Sequence, residues 1–555
     1  MKYSSKTLSQ TVVQLCLAKG IDRIVISPGS RNAPLTIGFT AHGSFHCYSV
    51  VDERCAAFFA LGMAQQYQKP VALVCTSGSA LLNYYPAIAE AYYSDIPLVV
   101  LSADRPSDLI DIGDGQTIRQ ENVYANHIEY SANCKEGISF QEFNEAEINR
   151  ALNIALQKKG PVHINLPFSE PLYERQEIPS VTPRSTPLKV SFENLTEQTL
   201  HSLQKTWKQS AKKMILVGTL PPNSVAQKWI DLVAEDPSVL VLTETTSNLH
   251  HPKIIPAIDT LISTLSEEAF AQLKPNILLT FGGMVVSKRI KAFLRKYPPE
   301  AHWHIDPKKA LNTYFSLTEH IAMPPNSFFE AFLQKGEGTE SDYQEQWLGK
   351  WSYRRLQQAQ FEKSLPHSDF KVYHSLFDSI PNQWMLQLAN STAIRYSQLF
   401  EMNPSLAIFC NRGTSGIDGS TSTAIGAALA SNKPTLLVTG DLSFFYDSNA
   451  LWNQYIPKNF RIVVVNNSGG GIFRILPKAQ EVAHFTQYFE TKHSLTAKHL
   501  CKTYHIDYSA AKNEEELREV LTDFFKEGDA PRLLEVFTPS EVNDLVLKQY
   551  FKAIS

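Results

Sequence analysis

Two turns in the last third of the chain carry residue types suited to one kind of chemistry. Gly440-Asp441-Leu442-Ser443 follows an apolar run directly, and Asn467 follows the next such run in Val463-Val464-Val465-Asn466-Asn467-Ser468-Gly469. One strand end offers a carboxylate, the other an amide and a free backbone carbonyl. These are hard oxygen donors, and Mg²⁺ prefers octahedral oxygen and completes its shell with substrate phosphates and water. Either turn alone is an ordinary loop. At consecutive strand ends, spaced for one helix between them, they read as a metal–diphosphate corner.

Ligands of open parallel sheets bind beyond the carboxyl ends of the strands, so the other post-strand loops matter next. In the first part of the chain these are Ser27-Pro28-Gly29-Ser30-Arg31-Asn32, Asp52-Glu53-Arg54, Thr76-Ser77-Gly78-Ser79 and Ala103-Asp104-Arg105-Pro106. In the last part Asn411-Arg412-Gly413-Thr414-Ser415-Gly416 precedes the two turns above. Taken singly, Glu53 is a first-turn carboxylate favoured by a helix dipole, and Arg31 and Arg105 are surface residues.

The elements that must position these loops are legible in outline. Arg23–Ser27, Phe45–Val51, Val71–Cys75 and Pro97–Ser102 read as buried strands, with helices over Ala33–Ala41, Arg54–Gln66 and Ala80–Tyr93 between them. A helix near Glu145–Gln157 and a strand in Gly160–Pro167 close the unit. Such alternation, with near-continuous apolar strands, predicts a parallel sheet covered on both faces. A Pro- and Ser-bearing linker over Ile178–Leu188 leads to a second α/β unit, with strands at Met214–Gly218, Val239–Thr243, Ile277–Phe281 and His302–Ile305. A polar stretch, Lys335–Tyr343, and a helical region precede a third, with strands at Leu406–Cys410, Thr435–Thr439, Ile462–Val465 and Leu533–Phe537. The fold class is therefore α/β, three successive doubly wound parallel-sheet domains, with boundaries at 1–180, 190–345 and 355–555.

Composition excludes several classes. At 555 residues with 43% hydrophobic and 19% charged content the chain is an ordinary globular protein of about three domains. A net charge of −3 without a dense basic tract argues against a nucleic-acid partner. The seven cysteines are scattered and form no Cys-x-x-Cys pair, which suggests neither disulfides nor zinc. No apolar run approaches a membrane span and the N-terminus lacks a signal-type core, so a cytoplasmic location is expected.

Together the motifs resemble those of thiamine-diphosphate enzymes, and most closely the MenD branch, the 2-succinyl-5-enolpyruvyl-6-hydroxy-3-cyclohexene-1-carboxylate synthases of menaquinone biosynthesis. The matching segments are Ser27–Arg31, Asp52–Arg54, Ser102–Pro106, Asp114-Gly115-Gln116, Ser391–Arg395, Asn411–Gly419, Gly440–Ser443 and Asn466–Phe473. They cover nearly the whole chain in order. Thiamine enzymes usually show Gly-Asp-Gly; Leu442 after the aspartate fits the MenD branch.

The resemblance implies a pyrimidine-binding first domain, a central domain and a diphosphate-binding third domain. It implies that Glu53 hydrogen-bonds N1′ of the aminopyrimidine, its pKa raised by burial against an aromatic ring. Asp441, Asn467 and the Gly469 carbonyl would hold Mg²⁺ or Mn²⁺ against the diphosphate. Gly440, Leu442 and Ser443 would contact that diphosphate, with N–H groups at a helix start suiting phosphate, and Ile417 would prop the bent cofactor. The reaction implied is decarboxylation of 2-oxoglutarate and addition of the succinyl carbanion equivalent to isochorismate. Both substrates are dianions, which suits arginine. Ser30, Arg31, Arg105, Gln116, Lys288 and Arg289 would face isochorismate; Ser391, Arg395 and Arg412 would hold the succinyl carboxylate, with Phe473 lining the pocket and Ser391 also near the cofactor. Ser287-Lys288-Arg289-Ile290-Lys291 reads equally as an exposed helix face. A homodimer or homotetramer is implied, with sites between subunits.

Three other readings make different demands on these residues. Another thiamine-dependent 2-oxoacid decarboxylase or acetolactate-type synthase predicts apolar residues where Arg395 and Arg412 stand. A non-catalytic cofactor-binding module would be expected to lose Glu53 or the Asp441–Asn467 pair. A Rossmann oxidoreductase needs a strand–Gly-x-Gly-x-x-Gly–helix signature that the chain lacks.

Overall fold

The computed structural model describes residues 2–188, 195–333, 339–476 and 478–555. The start of the central unit at 190 and positions 335–338 of the Lys335–Tyr343 stretch lie outside the described residues.

Three six-stranded sheets follow one another along the chain, with every pairing inside them parallel. Across the first sheet the strands run His46–Ser49, Arg23–Ile26, Val71–Cys75, Leu98–Asp104, Val162–Pro167 and Tyr130–Asn133. Across the third they run Ala407–Cys410, Met385–Leu388, Thr435–Gly440, Phe460–Asn466, Arg532–Phe537 and Asp507–Ala511. Numbered by sequence within each unit, both sheets have the order 2-1-3-4-6-5. The middle sheet, Ile254–Ile255, Val239–Leu242, Lys213–Val217, Ile277–Phe281, Ala301–Ile305 and Glu319–Ile321, has the order 3-2-1-4-5-6.

The apolar runs are continuous because each sheet is buried on both faces. Leu98 and Val100 enter one core while Val99 and Leu101 enter another. Ile215 and Val217 face a different core from Met214 and Leu216 in the middle sheet, and Leu437 is divided from Leu436 and Val438 in the third. Period-2 side-chain alternation makes this division automatic.

Strands of these three sheets absent from the sequence reading are Tyr130–Asn133, Ile254–Ile255, Glu319–Ile321, Met385–Leu388 and Asp507–Ala511; a short antiparallel pair, Tyr3–Ser4 with Arg175–Gln176, is absent from it too. The region read as one helix over Ala80–Tyr93 is two, Ala80–Asn83 and Tyr85–Ser94, the second opening with Pro86 in its first turn. The functional helix spans Glu53–Tyr67; the Asp52 carboxylate caps it, accepting from the Cys55 N–H at 3.1 Å.

The first and third units share one core. Phe58, Phe59 and Leu61 of the Glu53–Tyr67 helix pack with Ala424, Ile425 and Ala428 of the Ser420–Ser431 helix. The helices cross at two glycines. A Cβ on Gly62 would lie 2.0 Å from the Thr423 carbonyl oxygen, and one on Gly426 2.0 Å from that of Phe59. Backbone on both sides leaves nothing to give way, so any larger residue at either position forces the units apart. The N-terminus of the same helix is tied across the interface by Asn449 Nδ2, which donates to Asp52 at 2.9 Å, and by Arg54, which donates to the Tyr446 carbonyl at 2.8 Å.

Candidate active site

Parallel pairing of Thr435–Gly440 with Phe460–Asn466 brings the two opening turns side by side. Asp441, 2% exposed, begins the Asp441–Tyr446 helix. Its carboxylate accepts from the N–H groups of Leu442 at 2.6 Å and Gly469 at 2.9 Å, and lies 3.3 Å from His493 Nε2. Asn467 is also buried, and its Nδ2 donates to Asp369 Oδ2 at 3.0 Å. That bond fixes which way the amide faces: Oδ1 is left buried without a partner. An orphaned oxygen beside a buried carboxylate is what a hard cation would satisfy. Among the described residues no group of three His, Cys, Asp or Glu could hold a metal, so a cation here would depend on amide, carbonyl and phosphate oxygens. A Cβ on Gly440 would meet nothing within 4 Å, which leaves the strand end open beside the helix start. Ser443 Oγ donates to the Ile417 carbonyl at 2.6 Å, fastening the half-exposed Ile417 over this corner.

Asp369 is fully buried, with Thr538 donating to its other oxygen at 2.6 Å, and burial pushes its carboxyl up to about 6. Beyond Gly469, the buried Glu490 holds the following loop: its carbonyl accepts from Gly470 N–H at 2.6 Å and its carboxylate pairs with Arg474. Phe473 lies in that loop with its ring centroid 6.1 Å from Phe489.

Around the neighbouring strand ends of the third unit stand Ser391, Arg395 and Arg412. Ser391 has φ 71° and ψ −124°, a strained conformation for a non-glycine residue. Arg412 Nη1 donates to Asn390 Oδ1 at 2.7 Å, and its Nη2 lies 3.8 Å from Met284 Sδ. Burial and repulsion from Arg412 lower the pKa of Arg395. Both guanidinium groups keep a buried Nε without a partner. The middle unit closes this side. Glu244, 3% exposed, accepts from the N–H groups of Val286 at 2.6 Å and Ser287 at 2.8 Å, and burial pushes it up to about 7. Lys291 lies within electrostatic reach of Glu244 and Arg412, and burial lowers its pKa. Lys288 and Arg289 are exposed at the start of the same helix; Arg289 lies 4.8 Å over the Phe551 ring and donates to the Ser263 carbonyl at 3.3 Å.

In the first unit a second arginine pair stands over the strand ends. Arg31, 4% exposed, donates to the Phe168 carbonyl at 2.7 Å and pairs with Glu170 at 3.2 Å. Burial, then repulsion from Arg105, lowers its pKa. Arg105 stands 3.7 Å from Asp114. Ser30 and Gln116 are exposed nearby, the Gln116 carbonyl 3.3 Å from where a Gly78 Cβ would sit. Glu53 is half-buried at the head of its helix, and desolvation, with a smaller push from Asp52, raises its pKa.

The structure thus gathers Ile417, Gly440, Asp441, Leu442, Ser443, Asn467 and Gly469 into one corner, and Ser391, Arg395 and Arg412 beside them. It gathers Ser30, Arg31, Arg105 and Gln116 in the first unit. The electrostatic partners of Glu53 are first-unit groups, Asp52, Cys75 and Tyr84, whereas those of Asp441 are third-unit groups. Asp369, Asn390, Glu244, Lys291 and His493 were not anticipated. Asn390 had a signal: it follows Met385–Leu388, and recognising that strand would have drawn attention to its loop.

Residues 6–127 match the family described as thiamine pyrophosphate enzyme, N-terminal TPP binding domain; residues 187–387 match the middle domain of thiamine pyrophosphate; residues 391–536 match the C-terminal TPP binding domain. The chain is 54% identical over 556 residues to a protein of Flavobacterium johnsoniae, with all of both chains covered. It is 54% identical over 572 residues to one of Christiangramia forsetii, with 99% of each covered, and 38% identical over 569 residues to one of Porphyromonas gingivalis, with 100% of this chain and 98% of that one covered. All three are named 2-succinyl-5-enolpyruvyl-6-hydroxy-3-cyclohexene-1-carboxylate synthase.

Proposed function

This chain belongs to the 2-succinyl-5-enolpyruvyl-6-hydroxy-3-cyclohexene-1-carboxylate synthase family of thiamine-pyrophosphate enzymes, and from that premise we propose how its residues divide the work. It is a thiamine-diphosphate-dependent, carbon–carbon bond-forming synthase of menaquinone biosynthesis, which decarboxylates 2-oxoglutarate and joins the succinyl unit to isochorismate. When bound, thiamine diphosphate supplies the nucleophilic carbon that accepts the acyl group of a 2-oxoacid and allows CO₂ to leave.

Asp441, Asn467 and the Gly469 carbonyl would hold Mg²⁺ or Mn²⁺, and Gly440, Leu442 and Ser443 would meet the diphosphate. The unpartnered Asn467 Oδ1 supports this. Glu53, its pKa raised by burial, would share a proton with N1′ of the aminopyrimidine once the cofactor is bound. Ser391, Arg395 and Arg412 grip 2-oxoglutarate beside Phe473, and Ser30, Arg31, Arg105 and Gln116 grip isochorismate, with Lys288 and Arg289 at its edge. The family resemblance supports a homodimer or homotetramer whose sites combine the first unit of one subunit with the third of its partner. We set the domain divisions near 180, 190, 345 and 355, a reading that the succession of three sheets supports. Among the described residues no helix is long and apolar enough to cross a membrane. All seven cysteines are unpaired, which suits the reducing cytoplasm we assign.

The single observation that carries the substrate reading is the presence of two arginine pairs, one per half-site, each close enough for mutual repulsion. Placing like charges together is costly unless an anion joins them; a dianionic substrate at each pair would supply one, replacing or adding to Glu170 and Asp114 at the first. Purified protein with thiamine diphosphate and Mg²⁺ should release CO₂ from 2-oxoglutarate and consume isochorismate. It should favour 2-oxoglutarate over pyruvate on the order of 100-fold or more, since pyruvate leaves the third-unit arginines unpaired. Equal use of pyruvate would overturn the assignment.

A further inference from the structure

Glu90 lies on the Tyr85–Ser94 helix of the first unit, is 1% exposed, and has no part in the chemistry described above. Its carboxylate reaches across to the third unit. One oxygen accepts from Gly413 N–H at 2.7 Å and from Ser94 Oγ at 2.8 Å. The other accepts from Thr414 N–H at 2.7 Å and Thr414 Oγ1 at 2.9 Å. The donors Gly413 and Thr414 are the two residues that follow Arg412. A Cβ on Gly413 would lie 2.5 Å from the Glu90 carbonyl oxygen, so the loop is pressed flat on the helix. From the opposite side Asn390 Nδ2 donates to the carbonyls of Asn411 at 2.8 Å and Gly416 at 2.7 Å, while its Oδ1 takes the Arg412 guanidinium. The loop is therefore clamped between two side chains. The buried carboxylate spends its charge on backbone N–H groups beside Arg412 and leaves that guanidinium free of an acidic partner.

We propose that Glu90 is a positioning residue for 2-oxoglutarate: it fixes the Arg412 loop from the first unit of the same subunit, so that Arg412 meets the distal carboxylate of the substrate at a set place. The inference rests on the reading of Arg412 as a 2-oxoglutarate residue. A glutamine at this position keeps the shape, yet whichever way its amide turns, an NH₂ faces a backbone N–H, and that buried donor loses its acceptor.

The test is steady-state kinetics of Glu90→Gln and of Thr414→Val, which removes the hydroxyl bond alone, with thiamine diphosphate affinity and Tm measured alongside. In Glu90→Gln the KM for 2-oxoglutarate should rise about tenfold or more, while the isochorismate KM and the cofactor affinity change by less than about twofold. Thr414→Val should move the same KM by about two- to fivefold, and it provides the reading if Glu90→Gln does not fold. An unchanged 2-oxoglutarate KM, or an equal loss in both KM values and cofactor affinity, would overturn the proposal. Wild-type protein that releases no CO₂ from 2-oxoglutarate would instead overturn the function beneath it, and this inference with it.

Discussion

In the first unit Arg31 and Arg105 stand together with Glu170 and Asp114 beside them, whereas in the third Arg395 and Arg412 stand together and Arg412 rests against the neutral Asn390 and Met284. The two sheets have one strand order, so topology does not account for the difference; the loops after the strands do. The first-unit pair is partly neutralised before any ligand arrives, by carboxylates that are themselves largely exposed. The third-unit pair has no ion-pair partner within 4 Å among the described residues. Glu244 and Asp259 of the middle unit lie within electrostatic reach of it. A dianion entering the third unit therefore meets the less compensated charge.

The largest effects should separate the two half-sites by what fails. Glu53→Gln in the first unit should cut kcat by about 10²- to 10⁴-fold with cofactor affinity nearly kept. Asp441→Asn in the third should cost about 10- to 100-fold in Mg²⁺-dependent cofactor affinity, read by titrating thiamine diphosphate against intrinsic fluorescence. Turnover unchanged in the first variant, or affinity unchanged in the second, would erase the division.

A middle-sized effect concerns a middle-unit carboxylate within electrostatic reach of the third-unit pair. Glu244 is raised from 4.5 to about 7 in the folded protein. Between those values the native state binds more protons than the unfolded one, so this group's contribution to stability falls as pH rises, at up to about 1.4 kcal/mol per pH unit. Urea unfolding across that window should show a flatter pH dependence for Glu244→Gln than for wild type; parallel curves would contradict the assignment.

The smallest effect tests the neutralisation of the first pair. Glu170 is exposed, and a solvated ion pair contributes at most about 1 kcal/mol, so Glu170→Gln should move the isochorismate KM by no more than about fivefold. A larger shift would mean that Glu170 does more than screen Arg31.

Much of the site was legible because its residues follow apolar runs: Asp441, Asn467, Arg412, Arg31 and Arg105 all sit in the loops where strands end. What stayed hidden depends on contacts distant along the chain. Glu90 reads as one more polar residue on a helix until the third-unit loop lies on it, and Asp369, behind the Ser368 cap, reads as a first-turn carboxylate until Asn467 turns towards it. Met385–Leu388 escaped because Gln387 interrupts its apolar run, and Asn390 was lost with it. Tyr130–Asn133 and Asp507–Ala511 are edge strands, polar where no neighbour covers them.

The most direct measurement is a crossed pair of KM values from Arg105→Gln and Arg412→Gln. The account predicts that Arg105→Gln raises the KM for isochorismate and Arg412→Gln that for 2-oxoglutarate, each by about tenfold or more, with the other KM changed by less than about threefold. If both variants raised both constants alike, or if the two effects were exchanged, the division of the substrates between the two arginine pairs would be wrong.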